Sequence, residues 1–68
     1  MYYIAIRAQN ADQLEQLYKE ILNNVPNTSR SRYRLEVVSD VQDYNALLKI
    51  IGIVFEFPGA VIIQIEKL

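Results

Sequence analysis

An α+β two-layer sandwich, with element order β-α-β-α-β and both helices on one face of an open sheet, is the fold this sequence predicts. Three observations predict it. The hydrophobic period switches repeatedly between two and about 3.6 along the chain. Residues able to cap a helix stand before each 3.6-period segment. Strands one and two carry Arg7, Arg32, Arg34 and Glu36 on their second face, which a three-layer doubly wound fold would have to bury.

Tyr2, Ile4, Ile6 and Ala8 alternate with Tyr3, Ala5 and Arg7, the pattern of a half-buried strand. Asn10 is placed to cap the next segment, with Gln13 in the reciprocal position of a capping box. Leu14, Leu17, Tyr18, Ile21 and Leu22 then recur at helical spacing, so helix one is predicted from about Ala11 to about Asn24. Pro26 stops it, because proline has no amide hydrogen and disfavours helical torsions in Val25.

A polar loop is expected from Asn27 to Ser31, followed by a second strand in which Tyr33, Leu35 and Val37 face the core. Ser39 with Gln42 reads as a second capping box, and Asp40 and Asp43 suit the positive end of a helix dipole. Helix two is therefore predicted from about Asp40, with Val41, Tyr44, Leu47, Leu48 and Ile51 buried and Gly52 as its left-handed end. Ile53, Phe55 and Phe57 alternate with Val54 and Glu56 as an extra short strand, written β-α-β-α-β(β), or as chain closing over the core. Pro58-Gly59 forms a turn, and Val61, Ile63 and Ile65 against Ile62, Gln64 and Glu66 make the last strand.

Residues 1–68 leave room for a single domain, and a chain of this length buries only about 60% of its unfolded surface. Without Cys or His, neither a disulfide nor a conventional zinc site can add stability. A 51% hydrophobic content makes association the natural compensation, so a protein partner or a homodimer is expected. Seven basic and eight acidic side chains, net charge −1, argue against a general polyanion binder. The first residues lack the pattern of a signal peptide and no apolar run approaches a membrane span, so a cytoplasmic protein with no membrane partner is expected. Asn27-Thr28-Ser29 matches a glycosylation sequon, a three-residue pattern common by chance.

The absence of His and Cys removes the commonest general base, thiol nucleophile and metal ligands, so no catalytic residue, metal or cofactor is assigned. Asp40 and Asp43 are explained by capping, and the two glycines make no phosphate-binding loop. The remaining candidate is a surface. Tyr3, Arg7, Arg32, Arg34 and Ile62 are predicted to form an interaction face on the open side of the sheet, with Ala5, Val38 and Val54 adding apolar area. Tyr3, Arg7, Arg30, Arg32 and Arg34 give an alternative, a nucleic-acid-binding face in which an aromatic stacks on bases and guanidinium groups meet phosphates. The tyrosines at 2, 18, 33 and 44 are assigned to core or boundary positions. Acidic residues gather on the predicted helices, which sum to −3, against +2 for the strands and loops, a polarity able to orient a partner.

The order of elements resembles ferredoxin-like regulatory and assembly modules in architecture. That resemblance carries no motif, and it implies a fold with no particular function. The function expected from the residues is a non-enzymatic interaction module that regulates, inhibits or assembles a larger partner.

Overall fold

The computed structural model describes residues 1–68 and contains two helices and one four-stranded sheet. β1 (Tyr2–Arg7) leads into α1 (Ala11–Asn24). β2 (Thr28–Ser31) and β3 (Glu36–Val41) follow as a hairpin, α2 (Tyr44–Phe55) carries the chain back, and β4 (Val61–Lys67) completes the sheet. The strand order is β2-β3-β1-β4, antiparallel throughout. The α+β class and the two-layer arrangement therefore stand, but the fourth strand lies before α2 instead of before β4.

α1 begins and ends where its capping residues predict. The Asn10 side chain accepts from the Gln13 amide at 2.8 Å, and Gln13 Oε1 accepts from the Gln9 amide at 2.7 Å, one residue before the usual reciprocal position. Leu14, Leu17 and Ile21 are fully buried against Ile4 and Ile6 of β1 and Val37 and Val41 of β3. Because the buried residues of α1 and α2 join one cluster with those strands, both helices lie on the same sheet face.

The middle of the chain corrects the sequence reading most. Thr28 to Ser31, expected as loop, pairs with β3, and Arg32 to Leu35, expected as strand, is the hairpin turn. Leu35 closes that turn in the left-handed region at φ 57°. A β-branched residue would tolerate this poorly; here the cost is met by a 2.7 Å bond from the Ala8 amide to the Leu35 carbonyl and by packing of the Leu35 side chain on the core. Tyr33, expected in the core, is at the hairpin tip and 96% exposed. The alternation continues instead through Val37, Ser39 and Val41, all buried, and a serine at the middle core position conceals it.

Ser39 and Gln42 form no helix cap, since Ser39 lies inside β3. Asp43 caps α2 instead, accepting from the Ala46 amide at 2.8 Å. The helix then runs through Gly52 to Phe55, so Gly52 does not end it and Ile53–Phe57 forms no strand. Val54 faces the core one turn after Ile50, a helical relation that overrides the period-two alternation. The turn that follows does require its glycine. Gly59 has φ 89°, and a Cβ there would lie 2.6 Å from Gln9 Oε1.

Candidate interaction surface

Residues directly opposite in an antiparallel pair share a face, so the register fixes what the open side of the sheet presents. Tyr3 stands between Asp40 and Glu66, Ala5 between Val38 and Gln64, and Arg7 between Glu36 and Val61. Arg7 pairs with Glu36 at 3.3 Å across β1 and β3. A bulge in β4 leaves Ile63 without a partner between Ile62 and Gln64. Tyr3, Arg7 and Val38 thus occupy the face predicted for them. Ile62 is opposite Ile6 on the helix side and packs on the core, and Val54 is buried in α2.

The arginines are divided between the two sides. Arg30 is opposite Val37 on the helix side, where its guanidinium lies 4.2 Å from the centre of the Tyr18 ring and 3.0 Å from Glu15. Arg32 reaches the same Glu15 carboxylate at 3.2 Å. Sequence periodicity could not anticipate this, because Arg32 belongs to a turn and Arg30 to a strand. Arg34 borders a shallow depression of about 300 Å³ with Tyr3, Ser29, Ser31, Glu36 and Val38, which Arg30 also lines.

A further uncovered apolar surface lies on α2. Leu47, Ile50 and Val54 turn α2 toward the sheet, and Ala46 flanks α1 across a cleft shared with Asn24 and Val25. Tyr44, Leu48, Ile51 and Phe55 form a second stripe on the opposite flank, since at 100° per residue they fall within an arc of roughly 60°. Tyr44 is 58% exposed and Phe55 81%. Tyr44 approaches Tyr2 at the β1 end of this flank, ring centroids 6.3 Å apart. Ile65 of β4, opposite Ile4 and so on the helix side, is 47% exposed beside it. Tyr44 and Leu48, expected in the buried stripe, are exposed, whereas Ile51 is partly buried against the core; two adjacent helical stripes share one period, so periodicity alone does not separate them.

No acid–base pair or metal cluster is assembled. Asp43 is occupied as a helix cap, while Asp40 belongs to β3 and lies 3.5 Å from the Asn27 amide nitrogen, so the two do not share the helix terminus expected for them. The cleft of about 320 Å³ beside Val25, Pro26, Val41 and Ala46 has Asp40 as its one charged side chain. No helix is long and apolar enough to cross a membrane.

No protein family matches this chain. Nor does any curated protein or solved structure match it.

Proposed function

We propose that this chain is a small non-enzymatic interaction module of ferredoxin-like topology, which acts by presenting a protein-binding surface. The supporting observation is α2, a helix apolar around more than half its circumference, with only one flank and its underside covered. A helix of that composition is built for burial, and one left half-bare on a 68-residue chain favours association. The binding face assigned is the Tyr44, Leu48, Ile51 and Phe55 flank with Ile65, in place of the open sheet face around Tyr3, Arg7, Arg32, Arg34 and Ile62.

The test is Phe55→Asp and Leu48→Asp, each at an exposed position. Both should weaken association strongly while leaving the far-ultraviolet circular dichroism unchanged. Association that survives both substitutions would discard this face.

Nucleic-acid binding is the second reading, and what favours it is the shared depression between Tyr3 and Arg34. Its support is reduced because Arg30 and Arg32 are engaged with Glu15, and Arg7 with Glu36. Single-stranded RNA titrated at low salt decides it: affinity lost in Tyr3→Ala and Arg34→Ala would sustain the reading, and no binding would end it.

A further inference from the structure

We infer that the α2–β4 face takes a second copy of this chain, in a two-fold pair whose α2 helices run antiparallel. This rests on the interaction reading above and names the partner for that face.

The spacing of the stripe is the first argument. Tyr44, Leu48, Ile51 and Phe55 are separated by intervals of four, three and four residues, a series that reads the same in both directions. An antiparallel two-fold therefore brings Tyr44 against the partner's Phe55 and Leu48 against the partner's Ile51, each contact made twice. Self-complementarity of this kind is what an isologous interface requires.

Charge supplies the second. The Tyr44 end of the face lies beside Tyr2, which is in register with Lys67, and the other end carries Glu56 directly after Phe55. The two-fold brings the Lys67 end of one copy to the Glu56 end of the other, ends of opposite sign. Asp43 lies at the Lys67 end too, with its carboxylate held on the Ala46 amide. Antiparallel helix dipoles also oppose favourably.

Area is the third. At their observed exposure Tyr44 and Phe55 alone offer roughly 250 Å² of aromatic surface per copy. Leu48 and Ile65, each about half exposed, enlarge it. Simple extension of the sheet through β4 is disfavoured as the main contact, because the bulge at Ile63 breaks the strand's alternation.

The chain has no cysteine, which makes a direct test available. Tyr44→Cys and Phe55→Cys combined place two thiols about 16 Å apart along one helix, too far to bridge within a chain. Mild oxidation should give a covalent dimer with a Tyr44-position to Phe55-position bridge, identified by peptide mapping. Sedimentation equilibrium of the wild type should show dimer, weakened roughly thirtyfold by Phe55→Asp. Lys67→Glu and Glu56→Lys should each weaken it, and the double exchange should restore it.

A wild type monomeric at high concentration overturns the second-copy inference, as does a dimer indifferent to Phe55→Asp or one that cross-links only between like positions. If the monomer still captures another protein and loses it on Phe55→Asp, the interaction reading stands while this inference falls.

Discussion

Ser39 donates its hydroxyl hydrogen to Thr28 Oγ1 across the β2–β3 hairpin, the two oxygens 2.7 Å apart. The direction follows from Thr28, whose own hydrogen goes to the Val25 carbonyl, leaving Thr28 only acceptor capacity toward Ser39. This relay ties the end of α1 to β2 and β3, and it satisfies the one polar residue in the buried set.

Removing the two ends of that relay should have unequal effects. Ser39→Ala deletes one bond and should cost about 1 kcal/mol. Thr28→Val strands both a buried serine hydroxyl and the Val25 carbonyl, so about 2 kcal/mol or more is expected. Urea denaturation of the two variants checks the order, and equal losses would refute the relay.

The two glycines should respond to alanine with opposite signs. Gly59→Ala puts a Cβ into Gln9 at a positive φ and should destabilise by more than about 1 kcal/mol. Gly52→Ala adds a Cβ that meets nothing within 4 Å inside a helix, and should stabilise the isolated fold by up to about 1 kcal/mol. Thermal unfolding at low protein concentration separates the two.

Losing a cap should report where α2 begins. Asp43→Ala removes the acceptor for the Ala46 amide and should cost about 1 kcal/mol, whereas Gln42→Ala should have little effect. The reverse ranking would support a helix starting earlier, at the Ser39–Gln42 box.

The Glu15 cluster should contribute little to stability despite joining two arginines. Its members are partly exposed, Arg32 most of all, and such pairs are worth about 0–1 kcal/mol and less as salt rises. Glu15→Gln measured at low and high ionic strength should give a small loss that shrinks with salt; a large, salt-insensitive loss would mean the carboxylate has a role beyond pairing.

Legibility in the sequence followed how many signals agreed at each segment. β1 and α1 each have an unambiguous period and, for α1, both terminal signals, and both lie where expected; β4 spans the expected residues, but the bulge at Ile63 breaks its alternation and turns Ile62 to the helix side. The hairpin was obscured because Ser39 occupies a core position and Leu35 a left-handed one, neither usual for its residue type. α2 starts four residues later than expected because Ser39 and Asp43 offer competing caps, and pairing of residues 36–41 with β1 selects the second. The association face depended on that displacement. With Leu47, Ile50 and Val54 turned inward, Tyr44, Leu48 and Phe55 could only turn out. Once Arg32 falls in a turn, the supposed row of arginines cannot share a face.

The strand order has a consequence for how the molecule is made. β1 precedes every other element of the fold, yet it is a central strand whose second neighbour, β4, follows all the others, and the Leu68 amide donates back to the Met1 carbonyl. Until residues 61–67 have left the ribosome, β1 has one row of backbone groups with nothing to pair with. A nascent or truncated chain would therefore be expected to hold α1, α2 and the β2–β3 hairpin as a sticky intermediate. Deleting β4 should yield a product that aggregates and not a smaller folded domain.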